Sequence, residues 1–294
     1  MTQVTADQVK ELRERTGAGM MDCRKALVAT GGDIPLAIEK LRMEGQAKAV
    51  KKAGRTAADG AIAVAASGDA IAIVEVNCET DFVAKGDDFQ DFAKAAAAAA
   101  LAAKPATVEQ LGAARSGAQT LEEIRKAMVA RIGENITLRR VEIVKSAGGP
   151  LATYIHAGNR IGVVVALAKG DLELGKDIAM HVAAQRPQFL AAAEVPADLQ
   201  DSERKVIEAQ TAEQAAGKPA EIVKKMVEGK LRKFLGEITL LGQAFVKDPD
   251  QTVEKVLAAR GGSVARFVRF EVGEGIEKPT GDFAAEVAAM VKPH

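Results

Sequence analysis

The segment Ala70-Ile71-Ala72-Ile73-Val74-Glu75-Val76 is followed directly by Asn77-Cys78-Glu79-Thr80-Asp81-Phe82-Val83. Its first seven residues predict a β-strand in which Ile71 and Ile73 face one way while Val74 and Val76 face the other. Residues 61–66 and the turn at 67–69 complete a predicted hairpin with this strand, and an alanine-rich helix is predicted at 89–103. Strands followed by helices in this order predict an α+β fold with a largely antiparallel sheet.

The residues that end this strand allow two interpretations. Thr80 and Asp81 have side-chain oxygens that suit the N-cap of the next helix. Phe82 is a large apolar side chain beside a carboxylate at a turn, and turns on the rim of a rigid element often carry functional residues. Helix capping and contact with a partner therefore both remain open for this stretch.

An internal repeat indicates that the fold is duplicated. Four residues of the hairpin recur at an offset of 90: Gly68, Ile71, Ile73 and Val74 correspond to Gly158, Ile161, Val163 and Val164. The strings at 133–138 and 140–144 are echoed at 236–240 and 269–272. Thr80-Asp81-Phe82-Val83 corresponds to Gly170-Asp171-Leu172-Glu173, so the second copy lacks the phenylalanine, which favours a role for Phe82 beyond capping.

The chain divides into four predicted regions. Residues 1–53 form a three-helix docking domain that opens with a capping box at Thr5, and residues 54–146 form the first core subdomain. Residues 147–276 form the second core subdomain with an inserted helical hairpin at 194–235, and residues 277–294 form a C-terminal module with a helix at 283–290. Six apolar residues are predicted to form the seam of the hairpin: Val206, Ile207, Ile222, Val223, Met226 and Val227.

Composition limits the classes of function. The 40 basic and 40 acidic residues give a formal charge of zero, and Trp is absent, which argues against direct nucleic-acid binding. No apolar run is long enough for a membrane span, and the N-terminus resembles neither a secretory signal nor a transit peptide, so we expect a cytoplasmic protein. The two cysteines and three histidines lack metal-ligand spacing, so neither a metal nor a cofactor is expected.

Motifs of enzymatic chemistry are not convincing. The string Gly170-Asp171-Leu172-Glu173-Leu174-Gly175-Lys176-Asp177 is one residue short of a phosphate-binding loop, but Asp177 replaces the metal-binding hydroxyl. Asp171 and Glu173 would also repel phosphate. The sequence therefore predicts a binding protein rather than an enzyme.

Several long strings resemble bacterial elongation factor Ts, the family of guanine-nucleotide exchange factors for elongation factor Tu. The most specific strings lie at 11–23, 80–85, 132–136, 181–184 and 269–275, and the resemblance extends over essentially the whole chain. The resemblance implies an N-terminal ubiquitin-associated-like domain, two related core subdomains, a projecting hairpin and a C-terminal helix. It also implies exchange activity, with a scaffold or chaperone that binds the GTPase without driving exchange as the alternative.

The resemblance further implies which residues contact the GTPase. Phe82 would enter an apolar slot near the Mg²⁺ site of the partner, with Asp81 beside it and Thr80 and Val83 flanking the pair. Further contacts would come from five residues outside this stretch: Arg13, Met20, Met21, Ile132 and His156. The hairpin mediates dimerisation in some relatives, so a homodimer is a further expectation.

Overall fold

The computed structural model describes residues 4–214 and 218–277. It confirms the predicted α+β fold, with N-terminal helices, antiparallel sheets and a helical hairpin. The helix predicted at 283–290 lies outside the described residues. The domain boundaries proposed at 53, 146 and 276 stay predictions.

Residues 6–52 form three helices: α1 (Ala6–Thr16), α2 (Met20–Ala29) and α3 (Ile34–Lys52). Thr5 caps α1 in the predicted capping box with Gln8, and the carboxylate of Asp33 caps α3 by accepting a bond from the Leu36 amide. The helices enclose a small core made of Leu12, Cys23, Ala26, Leu27 and Ala37.

The first core unit is a three-stranded antiparallel sheet with helices on one face. Its order is β1-β2-β5, with β2 in the centre. Its elements are β1 (Asp59–Ser67), β2 (Ala70–Cys78), α4 (Asp81–Lys85), α5 (Asp87–Ala103), α6 (Val108–Ala113), β3 (Arg115–Ser116), β4 (Gln119–Thr120), α7 (Leu121–Ile132) and β5 (Thr137–Lys145).

The second core unit repeats this sheet with the order β6-β7-β10, again antiparallel and with the equivalent strand, β7, in the centre. Its elements are β6 (Leu151–Ile155), a 3₁₀ turn (Ala157–Asn159), β7 (Ile161–Lys169), α8 (Leu172–Gln185), a second 3₁₀ turn (Ala192–Glu194), α9 (Ala197–Gln214), α10 (Ala220–Ile238), β8 (Ala244–Phe245), β9 (Asp248–Thr252), α11 (Val253–Ala259) and β10 (Ser263–Glu271).

The two faces of β2 are buried in different cores, as the alternation predicts. Ile71 and Ile73 lie in the core between the two sheets, whereas Val74 and Val76 pack against α5. Each such side chain contributes about 1.5–3 kcal/mol when it is fully buried. The alanines of α5 explain how the helix lies close to the sheet, because small side chains fill its buried face at Ala93, Ala96, Ala97 and Ala100.

The sequence echo between 133–138 and 236–240 does not extend to secondary structure. In the string at 133–138, Gly133 has a φ of 84° and ends α7. The strand β5 then begins at Thr137. The echoing string at 236–240 instead continues α10 as far as Ile238, because Gly236 lies inside the helix and does not end it. The strand equivalent to β5 is β10, which begins only at Ser263.

The seam of the helical hairpin differs in part from the prediction. Ile207, Val227 and Leu231 form its buried centre, so Leu231 was missed. Val206 and Ile222, which were predicted in the seam, are exposed. Successive helical residues are about 100° apart, so Val206 faces away from a seam that Ile207 occupies.

The N-terminal helices dock on the first core unit through α3 and α7. Gly45 allows the two helices to approach closely, because a Cβ atom there would lie 3.1 Å from the Cβ of Ala130. Lys52 donates from Nζ to the carbonyl oxygen of Gly133 at 2.6 Å, and Arg42 pairs with Glu123. The docking therefore combines close packing with charged contacts at both ends of α7.

A buried carboxylate joins the end of β10 to the first sheet. Glu75 on β2 is fully buried and accepts hydrogen bonds from Arg139, Arg140 and the amide of Gly273. Gly273 has a φ of 73°, and a Cβ there would lie 2.3 Å from the carbonyl oxygen of Ala58, so a side chain has no room. The chain beyond β10 is thus held against the first core unit.

Candidate partner-binding site

The stretch after β2 forms a separate short helix, α4, whose side chains point in two directions. Val83 and Ala84 face the first core, whereas Phe82 is 87% exposed. That fraction is the highest among the exposed large apolar side chains of the described residues. Burial of this ring against a partner would contribute about 1.5–3 kcal/mol, so an exposed Phe82 suits a contact role.

Thr80 is the N-cap of α4, as the capping interpretation predicted. Its Oγ1 accepts a hydrogen bond from the Val83 amide at 3.4 Å. Asp81 lies in the first turn, where the helix dipole favours a negative charge, and pairs with Lys85 at 2.6 Å. The hydrogen bond and charge of Lys85, together with the more distant charge of Arg160, lower the pKa of Asp81. The side chain beside Phe82 is therefore a carboxylate at neutral pH.

Two carboxylates from different parts of the chain hold the start of α4. Glu134 accepts three hydrogen bonds, from the amides of Glu79 and Thr80 at 3.1 Å each and from Oγ1 of Thr80 at 2.7 Å. Glu79 in turn accepts a bond from the amide of Asn135 at 2.6 Å and pairs with Arg55 at 2.6 Å. The turn after α7 and the residues after β2 thus each supply a carboxylate that accepts hydrogen bonds from the other segment.

Cys78 closes the end of β2 beneath this helix. Its Sγ lies 3.2 Å from the carbonyl oxygen of Thr80 and donates to it. Burial raises the pKa of Cys78 to about 12, with further increases from the charges of Glu134 and Asp59. The side chain is therefore a neutral thiol that packs and donates, and Cys23 is likewise free and buried.

His156 lies at the exposed end of β6 and is connected to the same region. Its Nδ1 lies 3.1 Å from the hydroxyl of Tyr154. Asn159, in the turn that follows, donates to Gln90 at 2.7 Å, and Gln90 donates to the carbonyl oxygen of Ala84 at 2.5 Å. A chain of two hydrogen bonds thus connects the last residues of α4 to the turn that His156 begins.

Comparison with known proteins supplies the family. The model of the family described as "Elongation factor TS" matches residues 79–274. The chain is 59% identical to elongation factor Ts of Methylococcus capsulatus, over 98% of this chain and 99% of that protein. Identity is 56% with the factor of Thioalkalivibrio sulfidiphilus (98% and 99% covered) and 52% with that of Francisella tularensis subsp. novicida (99% and 100% covered).

The chain belongs to the elongation factor Ts family. This membership assigns it a role in translation elongation. The family model begins at Glu79, so the short helix with Phe82 lies inside the part that defines the family.

The other residues predicted to contact the GTPase lie in two places, at the end of α7 and on the helices α1 and α2. Ile132 ends α7 two residues before Glu134 and is half-buried against the first core. Arg13 is exposed in the last turn of α1, and Met20 and Met21 are about 60% exposed at the start of α2. Lys52, which ends α3 and bonds to Gly133, connects this N-terminal domain to the turn at 133–135 that holds α4.

Sequence reasoning assigned no role to Glu134, Asn135, Gln90 or Asn159, which the structure places around α4. The first two occur in the string at 132–136 that resembles the family, but Glu134 and Thr80 are 54 residues apart. No periodicity in one sequence pairs such positions. The available signal was the presence of two acidic residues, Glu79 directly before the string at 80–85 and Glu134 inside the string at 132–136.

Other polar groups have structural roles. The near match to a phosphate-binding loop is the start of α8, where Asp171 caps the helix and Asp177 pairs with Lys247 and Arg260. Within residues 4–214 and 218–277, no group of three His, Cys, Asp or Glu side chains is arranged to hold a metal ion. In the same residues, no helix is both long and apolar enough to cross a membrane.

Proposed function

We propose that this chain is a guanine-nucleotide exchange factor that binds the GDP form of elongation factor Tu, displaces Mg²⁺ and promotes GDP release so that GTP can bind. The observation that carries this proposal is the exposure of Phe82 on a short helix with a fixed N-terminus, in a chain of the elongation factor Ts family. The factor would act in the cytoplasm through protein contacts, without direct binding of nucleic acid or membrane.

In the proposed complex Phe82 enters an apolar slot beside the Mg²⁺ site of the GTPase, and Asp81 engages polar groups next to it. Backbone amides, a lysine and Mg²⁺ hold the phosphates of a bound nucleotide in GTPases of this kind. Loss of the ion leaves the phosphate charge poorly compensated, so GDP dissociates faster. The factor needs no covalent step, and for this reason we propose that it is not an enzyme.

The exchange would follow from differential binding. A protein that binds the nucleotide-free GTPase more tightly than the GDP form must weaken GDP binding by the same factor. A broad interface is needed to supply the binding free energy. In the proposal the exposed Met20 and Met21 with Arg13 contact the nucleotide domain of the GTPase, Ile132 extends the surface around Phe82, and His156 contacts its third domain.

Release of a fluorescent GDP analogue from elongation factor Tu tests the proposal. We expect catalytic amounts of the chain to accelerate release, with the same final extent of exchange and no GTP hydrolysis by the chain alone. A complex that forms without faster release would contradict the exchange function and identify the chain as a scaffold or chaperone for the GTPase.

We also propose that the helical hairpin of α9 and α10 forms a homodimer. Val206 and Ile222 support this proposal, because both apolar side chains are nearly half exposed on the hairpin rather than in its seam. Sedimentation velocity at micromolar concentrations is the test. The unmodified chain should sediment as a dimer and the Val206→Glu/Ile222→Glu variant as a monomer, whereas a monomeric unmodified chain would exclude the dimer.

A further inference from the structure

Helix α4 is too short to fix its own direction. It spans five residues, Asp81–Lys85, little more than one helical turn, and an isolated helix of that length is unstable in water. The direction of Phe82 must therefore come from contacts outside the helix. Its C-terminal end is held by Gln90, and its N-terminal end by the contacts of Glu79 and Thr80.

Glu134 supplies the contacts that determine how the chain enters α4. The two amide bonds fix the peptide units of Glu79 and Thr80, directly before the helix. The third bond takes the hydroxyl proton of Thr80, which leaves the oxygen lone pairs of that hydroxyl to accept from the Val83 amide. One carboxylate therefore fixes the entry of the chain and orients the cap of the helix that carries Phe82.

A hydrogen bond in the opposite direction, from the turn at 133–135 to Glu79, fixes that turn relative to the start of α4. Glu79 accepts from the amide of Asn135, and the side-chain amide of Asn135 donates to the carbonyl oxygens of Ala53 and Arg55. Lys52 donates to the neighbouring carbonyl oxygen of Gly133. The turn at 133–135 is thus held by the end of α3 while it holds the start of α4.

We infer that Glu134 is a positioning residue for nucleotide exchange: its three hydrogen bonds hold Phe82 in the orientation that enters the GTPase. The inference rests on the proposed exchange function and assigns this function to a residue that need not touch the partner. Without Glu134 the residues at 79–83 regain conformational freedom, and binding of Phe82 must then order them again.

The experiment compares Glu134→Ala and Glu134→Gln with Glu122→Ala, a control that removes an ion-paired glutamate at the other end of α7. The maximal rate of stimulated GDP release should fall roughly tenfold in Glu134→Ala, the effect of ordering about one backbone residue. Glu134→Gln should retain most of the rate, because its amide oxygen still accepts both backbone bonds and Thr80 can accept from its amide nitrogen. Glu122→Ala should match the unmodified chain.

Two further measurements separate positioning from other causes. In the Phe82→Ala background, Glu134→Ala should slow release no further, since the effect acts through Phe82. Without any GTPase, amide hydrogen exchange of the peptide that covers 79–86 should be faster in Glu134→Ala than in Glu134→Gln or Glu122→Ala, while the sheets stay protected.

Each opposite result has a distinct meaning. Unchanged release by Glu134→Ala, with Phe82→Ala impaired, overturns the inference and leaves the proposed function intact. An equal slowing in both backgrounds also overturns it, because Glu134 would then act independently of Phe82. If Phe82→Ala releases GDP at the normal rate, the proposed role of Phe82 fails and the positioning role fails with it.

Discussion

Phe82 and Leu172 hold equivalent positions, 90 residues apart, each directly after an aspartate that follows the central strand of a sheet. Both copies keep a helix cap, but Thr80 supplies it in the first and Asp171 in the second. The different sequences therefore do not decide between capping and contact, since each copy caps its helix. Exposure is the stronger evidence for partner contact at Phe82. This side chain is 87% exposed on a separate five-residue helix, whereas Leu172 is 46% exposed at the start of a longer helix.

His181 illustrates a polar residue whose role is structural. It is fully buried, its Nδ1 accepts from the Val246 amide at 3.1 Å, and its Nε2 donates to Gln243 at 3.0 Å. Burial lowers the pKa of His181 below the usual 6.5. As pH falls through 6.5 the unfolded chain binds this proton before the folded chain does, so the free energy of unfolding decreases.

We predict that this pH dependence is reduced in the His181→Gln variant. Urea unfolding at pH 7.5 and pH 5.5 should show a smaller loss of stability in His181→Gln than in the unmodified chain, although the variant is less stable by about 1–3 kcal/mol at pH 7.5. The same pH dependence of the free energy of unfolding in both proteins would contradict the structural role of His181.

At the scale of elements, local patterns predicted more than distant contacts. The capping box at Thr5 and the two faces of β2 depend on residues within a few positions of each other, and these predictions are confirmed. The hairpin seam depends on how two helices rotate against each other, which the sequence of one helix does not specify, and there Val206 and Ile222 were predicted wrongly. The bonds of Glu134 to Thr80 join positions that no local pattern connects.

The observed seam leads to a prediction for the hairpin. Leu231 is buried between α9 and α10, so Leu231→Ala should destabilise the hairpin by about 2–4 kcal/mol. Lys225, exposed on the same helix, is the control, and Lys225→Ala should change stability by no more than about 0.5 kcal/mol. Hydrogen exchange of α9 and α10 measures both, and equal effects of the two substitutions would mean that the seam has been assigned to the wrong face.

At the scale of the whole molecule, the N-terminal domain and the core are joined where α3 crosses α7. The sequence predicted the three N-terminal helices and the repeated sheets, because each follows from periodicity and capping. It did not predict that Gly45 lies against Ala130 or that Lys52 bonds to Gly133, since these contacts depend on tertiary packing alone.

We predict that a side chain at Gly45 disrupts this junction. Gly45→Leu should lower the free energy of unfolding by about 1–3 kcal/mol, because the added atoms have no room beside Ala130. Gly229→Leu is a matched control inside α10, where nothing lies within 4 Å of the added Cβ, and it should be neutral or stabilising. Chemical denaturation of both variants is the measurement, and a neutral Gly45→Leu would show that the helices separate at little cost.

In the proposed function, exchange by the whole molecule requires the N-terminal contacts in addition to Phe82. We predict that Met20→Ser/Met21→Ser weakens affinity for nucleotide-free elongation factor Tu by roughly tenfold, since two exposed thioether side chains lose their apolar contact area. Val28 on the same helix is similarly exposed, and Val28→Ser serves as the control with unchanged affinity. Calorimetric titration distinguishes these outcomes, and equal affinities for all variants would remove α2 from the proposed interface.

The most direct test of the account is the rate of GDP release from elongation factor Tu with Phe82→Ala, compared with Leu172→Ala from the other repeat. We predict that saturating Phe82→Ala releases GDP at least roughly tenfold more slowly than the unmodified chain, the factor that corresponds to losing part of one phenylalanine contact. Leu172→Ala should match the unmodified chain, and both variants should keep its unfolding midpoint. Release by Phe82→Ala at the unmodified rate would contradict the claim that this exposed side chain drives exchange.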